Sequence, residues 1–262
     1  MFLTNASSRT AAQMADILCR GGITAMPSEI VTAGALLARR IKEIANSHTT
    51  VIRYGGGQGL ADELEYAGLE SVYLSDIHPN SVQGESCIIF GYTKDFTLVE
   101  AKVLLALASE VTTFLTAEKD RWYAGFDGPT PGVGWVVAAA ENVLNRTAEI
   151  VGKPSGYGLK AIANDLAVPV QHILMVGDSF DADVMAARNA GAIACLAGQS
   201  MAHPLADLTI DSIAELPQIV SSWRIIDREG DRIEKGGTVL WVMSQPHTTS
   251  SLMQPQIGLS AA

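Results

Sequence analysis

Apolar residues in this chain fall into two repeating patterns joined by polar, glycine-rich links. Short apolar runs mark strands, and the run at residues 173–176, with no polar face, has the pattern of a strand buried on both sides of a parallel sheet. Between such runs lie stretches with apolar positions at helical spacing. Met14, Ile17 and Leu18 give a helix over 10–20 that Gly21 and Gly22 stop. Met1, Phe2 and Leu3 read as the end of a strand, followed by a polar turn over 4–9. Pro27 and Ser28 start another helix with Ile30, Val31, Leu37, Ile41 and Ile44 as core candidates. The same reading gives strands at 51–54, 87–90 and 111–115, with helices at 61–66 and 98–108 between them. Further helices follow at 135–144, 157–166 and 212–220, and strands at 173–176, 192–196 and 208–210. This alternation predicts an α/β fold on parallel sheets, with the segment from about 51 to 115 forming a small layer of its own.

Two stretches break the rhythm. Residues 127–132, DGPTPG, are a cluster of breakers suited to a hinge. Beyond Trp223 the character changes: 224–227 and 238–242 can pair as a hairpin across Gly236-Gly237, and the last residues, rich in Ser, Thr, Gln and Pro, have the composition of a disordered tail.

Composition narrows the class. A chain of 262 residues holds one large domain or two small ones. No apolar run approaches the roughly 18 to 20 residues that span a bilayer, and the N-terminus has no basic segment followed by an apolar core, so a cytoplasmic protein without membrane contact is expected. Cys19, Cys87 and Cys195 are an odd set without a CxxC pair, each in apolar company, which points away from disulfides and structural zinc. The net charge of −10 repels phosphate backbones and argues against nucleic acid as a partner; an anionic substrate would need a local positive site.

Candidate chemistry sits at three strand ends. In ILMVGDSFDADVMAARNAGA, residues 173–192, Gly177 allows a turn and Asp178 follows at the carboxyl end of the strand, where open α/β sheets bind ligands. Asp181 and Asp183 then open a helix, as capping residues or as support for a metal. Thr4 and Asn5 offer a hydroxyl and amide donors, Lys153 a cation, and Asp178 a hard oxygen suited to Mg²⁺. The run Gly55-Gly56-Gly57-Gln58-Gly59 between a strand and a helix fits a tight turn or a dinucleotide loop, but it lacks the third glycine of GxGxxG and the GK[ST] of a phosphate loop.

In order and context, FLTNASSRT, IVGKPS and ILMVGDSFDADV resemble the second, third and fourth motifs of the haloacid dehalogenase-like phosphatases, in the subclass with a large α/β cap between motifs two and three. The resemblance covers about residues 1–220. IIFGYTKDFTL and FLTAEKD resemble the cap of the p-nitrophenylphosphatase and phosphoglycolate phosphatase branch, although Ala6 and Ala117 stand where asparagines are usual. It implies a Rossmann-like parallel core at 1–48 and 129–222, a cap at 49–128, and an appended segment at 223–262. It also implies Mg²⁺-assisted hydrolysis of a small phosphorylated metabolite through an aspartyl-phosphate. Thr4 and Asn5 would bind the phosphoryl group, Lys153 would neutralise its charge, Asp178 would hold Mg²⁺ with Asp183 and Asp181 in support, and the cap would close over the site and could form a homodimer.

The motif that supplies the family's nucleophile, DxDG[TV], occurs nowhere in the sequence; the nearest approximation is Asp227-Arg228-Glu229-Gly230. The strand that carries this motif lies at the centre of the family's sheet, so its absence predicts a gap with two unpaired edges. Such a strand, burying about five apolar side chains at ~1.5 to 3 kcal/mol each, contributes on the order of 8 to 15 kcal/mol, as much as the net stability of a domain. The expectation is therefore a truncated chain that is not a stable monomer, or else a homologue that binds phosphate or a protein partner without catalysis.

Overall fold

The computed structural model describes residues 1–44, 50–81, 84–125, 127–199, 201–222 and 240–243. In chain order the elements are β1 (Phe2–Thr4), α1 (Ala11–Arg20), β2 (Ile30–Thr32), α2 (Ala33–Ile44), β3 (Val51–Gly55), α3 (Gln58–Tyr66), β4 (Ser71–Tyr73), β5 (Ser86–Phe90), α4 (Leu98–Leu107) and β6 (Val111–Thr116). They continue with β7 (Trp122–Gly125), β8 (Gly128–Pro131), α5 (Gly134–Leu144), β9 (Glu149–Ile150), α6 (Tyr157–Asp165), β10 (Ile173–Gly177), α7 (Met185–Ala190), β11 (Ile193–Ala197), β12 (Leu208–Ile210), α8 (Leu216–Ser222) and β13 (Leu240–Met243). The architecture is α/β, with two parallel sheets. One has the order β12-β11-β10-β13-β1-β2, the other β4-β3-β5-β6-β9, and β7 and β8 form a separate antiparallel hairpin.

The strands without a polar face are the ones covered on both sides. Alternate residues of β5 point to opposite cores: Cys87 and Ile89 into one, Ile88 and Phe90 into another. In β10, Ile173 and Met175 join Cys87 and Ile89 in a core shared by both sheets, while Leu174 and Val176 pack against α8 with Ile210 and Leu216. Helix starts follow local chemistry. Thr10 accepts from the Gln13 N–H while Gln13 accepts from the Thr10 N–H at 2.9 Å, and Thr97 and Glu100 do the same for α4.

Three expectations are corrected. Ile30–Thr32 is a strand, not the first turn of a helix: Pro27–Glu29 make a single 3₁₀ turn, and Ile30, Val31 and Thr32 then pair in parallel with Phe2, Leu3 and Thr4. The breaker cluster at 127–132 is no hinge but the turn and second strand of the β7–β8 hairpin. The second sheet also runs past residue 128, because α5 packs on α4 in its core and β9 adds to β6 through the pair Leu115 and Glu149. The glycine run resolves as close packing. A Cβ on Gly59 would lie 2.2 Å from the Ser8 carbonyl carbon, so α3 sits directly on the loop after β1.

The expected gap is filled. β13 lies between β10 and β1, parallel to both, with Leu240 to Met243 in register with Ile173 to Val176 and Met243 beside Phe2. Residues 240–242, the described part of the arm expected at 238–242, therefore pair in parallel with β10 and not as one arm of a hairpin; residues 238–239, residues 224–227 of the other arm, and the sequence 227–230 lie outside the described residues. Backbone pairing explains the outcome, since a strand between two neighbours satisfies hydrogen-bonding groups that an open slot would leave bare. A proline in this position removes a ladder hydrogen bond and clashes with the strand. Val242→Pro is expected to destabilise the protein by about 1–3 kcal/mol for the ladder acceptor left unsatisfied, read as a lower midpoint in urea denaturation.

Candidate active site

The carboxyl ends of strands from both sheets meet at one place. β1 ends in Thr4 and Asn5, β6 runs into Ala117–Asp120, β9 into Val151–Lys153, and β10 into Gly177 and Asp178. Hydrogen bonds lock this region together: the Gly152 N–H donates to the Ala117 carbonyl at 2.8 Å, and the Tyr92 N–H, from the loop after β5, donates to Ser7 Oγ at 2.7 Å.

Lys153 is the cation of this place and is 7% exposed. Its Nζ donates to Asp183 Oδ1 at 2.7 Å, and Asp183, 1% exposed, accepts at Oδ2 from the Ser179 N–H at 3.0 Å. A Cβ on Gly177 would lie 2.1 Å from Asp183 Oδ2, so only glycine at the strand end admits the carboxylate. Asp183 lies in a π-helical turn over Phe180–Val184 that Ser179 caps by accepting from the Ala182 N–H at 3.2 Å. Among the sequence-predicted carboxylates, Asp183 thus serves Lys153, and Asp181 faces outward and exposed.

Asp178 differs from both. Its Oδ1 is buried and has no hydrogen-bond partner, the one such side-chain atom among the described residues. An unmatched buried carboxylate oxygen is costly and fits a hard cation, and Mg²⁺ is usually held by one or two carboxylates together with water and substrate phosphate. No group of three or more His, Cys, Asp or Glu suited to a metal occurs among the described residues.

Thr4 is 7% exposed; its Oγ1 accepts from the Ala6 N–H at 3.1 Å, which leaves its hydroxyl proton free to donate to a ligand. Asn5 is turned toward Lys153 instead. Its Oδ1 accepts from the Lys153 N–H at 2.8 Å, and its Nδ2 donates to the Lys153 carbonyl at 3.0 Å and to Asp120 Oδ2 at 3.3 Å.

Sequence reasoning missed Glu118 and Asp120, which reach the site from the loop after β6; the available signal was two carboxylates just past an apolar run. Glu118 is 6% exposed, and its Oε2 accepts from the Asp120 N–H at 2.7 Å. Burial, and then the Asp120 charge, push its carboxyl up to about 8. Elsewhere, Cys87 and Cys195 are buried with thiols pushed up to about 12 by desolvation, whereas Cys19 is exposed, contrary to its expected apolar setting.

Two outcomes follow from this geometry. Lys153→Met strands Asp183 without its partner and is expected to cost about 3–5 kcal/mol in chemical denaturation, with Lys153→Met/Asp183→Leu recovering part of the loss. Glu118 binds a proton in the fold that the unfolded chain releases from about pH 4.5 upward, so its contribution is full below that pH and is lost as pH rises toward about 8. Thermal melts across this window should show a fall in stability that Glu118→Gln flattens.

With the geometry in hand, known proteins give it a context. The family model for haloacid dehalogenase-like hydrolases matches residues 1–70, and a HAD-hydrolase-like model matches residues 150–216. Chronophin of Rattus norvegicus is 31% identical over 198 residues, which are 73% of this chain and 62% of chronophin, so the chain spans less than two thirds of that relative. An acid sugar phosphatase of Staphylococcus aureus is 26% identical over 191 residues, 73% of this chain and 70% of the relative. In fold, the chain is similar to a glycerol phosphate phosphatase from Mycobacterium tuberculosis in complex with magnesium, with a TM-score of 0.68, 23% identity, and coverage of 81% of this chain and 64% of that one. No helix among the described residues is long and apolar enough to cross a membrane. The two family models take in the loop after β1, the Lys153 loop and the Asp178 turn, and the chain belongs to the haloacid dehalogenase-like hydrolases, in the subclass with an α/β cap.

Proposed function

We propose that this chain is built for a phosphomonoester hydrolase acting on small phosphorylated metabolites. The observation that carries the reading is the ammonium of Lys153, held by buried Asp183 at the strand ends in a chain of net charge −10. A fixed cation there attracts an anionic group and meets charge that develops on the phosphoryl oxygens during transfer. The Thr4 hydroxyl donates to the same group. The orphaned oxygen of Asp178 would hold Mg²⁺, which when bound neutralises phosphoryl charge. The shared core beneath the two sheets keeps the loop after β6 over the site, where it excludes water and meets the leaving group.

A second reading rests on β13. Transfer through an aspartyl-phosphate needs a carboxylate beside Asp178, and the strand between β10 and β1 is followed in sequence by Ser244, Gln245 and Pro246. This favours a protein that binds phosphorylated molecules without turning them over. One pair of measurements separates the readings. Inorganic phosphate with Mg²⁺ is expected to raise the melting temperature of the full chain, and not that of Lys153→Ala. Magnesium-dependent release of p-nitrophenol from p-nitrophenyl phosphate then supports the hydrolase, binding without release supports the second reading, and absence of both overturns the two together.

A further inference from the structure

Asn5, in the loop after β1, is hydrogen-bonded to two other loops at once. Its amide orientation is fixed by its surroundings, because Oδ1 faces an N–H and Nδ2 faces two acceptors, the Lys153 carbonyl and Asp120 Oδ2. Both amide protons are therefore committed, and neither remains to bind a phosphoryl oxygen. The pair of bonds to Lys153 spans the N–H and the C=O of one residue, which fixes that residue's backbone in the manner of a strand partner. Space is shaped for the contact: a Cβ on Gly152 would lie 2.8 Å from Asn5 Oδ1 and 2.3 Å from the Ala117 carbonyl. Asp120 is held in turn, its N–H by Glu118 at 2.7 Å and its carbonyl by the Gly134 N–H at 3.1 Å.

We infer that Asn5 is a positioning residue that clamps Lys153 and couples the place of its ammonium to Asp120, and so to the loop after β6. This rests on the reading of the site as a phosphate site, and it replaces direct phosphate binding by Asn5. The coupling runs Asp120 to Asn5, Asn5 to the Lys153 backbone, and the Lys153 ammonium to Asp183, with each link a hydrogen bond of 3.3 Å or less. A shift of Asp120 when the β6 loop meets the rest of the substrate would be felt at the cation.

A double-mutant cycle in the full chain tests the clamp. Asn5→Asp removes both donated bonds and sets a carboxylate against Asp120, whereas Asp120→Asn restores a donor opposite position 5. Inorganic phosphate affinity, measured by calorimetry with Mg²⁺, is expected to fall about tenfold in Asn5→Asp and to recover severalfold when Asp120→Asn is added, a gain that Asp120→Asn does not give in the wild-type background. A residue that bound phosphate directly would give the same factor for Asp120→Asn in both backgrounds, and that result overturns the inference. In Asn5→Ala, which has no amide to relay, Asp120→Asn is expected to have no effect, and this variant serves if Asn5→Asp does not fold. Should the wild-type chain bind no phosphate, the functional reading fails, and the clamp is judged separately on the same cycle of melting temperatures: additivity there refutes it.

Discussion

The buried ion pair between Lys153 and Asp183 is the constraint on which the arrangement of the site depends. Two charges taken out of water must meet closely and be hydrogen-bonded besides, or the desolvation cost is not offset. Each requirement is met by a different part of the chain. Gly177 leaves room for the carboxylate, the Ser179 N–H satisfies its second oxygen, and Asn5 fixes the lysine backbone. The pair ties the loop after β9 to the turn after β10, elements drawn from different sheets. Asp178, next to this pair but outside it, is left with an oxygen that nothing among the described residues satisfies. The ion pair thus falls to Asp183, and in the proposed reading ligand recognition falls to its neighbour Asp178.

The two sheets do not meet only at their polar rims. Leu3, Leu37, Ile52, Leu60, Ile89, Leu115, Leu159 and Met175 belong to one buried cluster that runs beneath the site from one sheet to the other. Glu63 of α3 adds a polar link, accepting from the Ala11 N–H and the Thr32 hydroxyl at 3.3 Å each. Loops that carry the site are thereby set on a continuous packed base, which resists the small displacements that would loosen a charge-binding geometry.

Much of this was legible in the sequence, and what was not has identifiable causes. The unbroken apolar run at 173–176 announced a buried parallel strand, and the position of Asp178 just past it announced a rim residue. Ile30–Thr32 was hidden because an apolar strand passing straight into an apolar helix face leaves no change of period to read. β13 was hidden for a different reason. A pair of glycines between apolar runs is a local hairpin signal, whereas pairing with strands far away in sequence leaves no local mark. The work of Asn5 was equally invisible: a threonine-asparagine pair advertises donors, but only the fold reveals that those of the asparagine side chain are already taken.

The place of β13 bears on the order in which this chain can become itself. Phe2 and Met243 are neighbours in the middle of a sheet although nearly the whole described chain separates them. Contacts so remote in sequence close late, because the loop entropy must be met before the pairing returns anything. During synthesis β1 and β10 would both be made, and their edges left bare, well before the strand that joins them. The chain would pass through a stage in which its most central hydrogen-bonding groups are open to any extended segment nearby, and its reliance on assistance during folding would be concentrated in that interval.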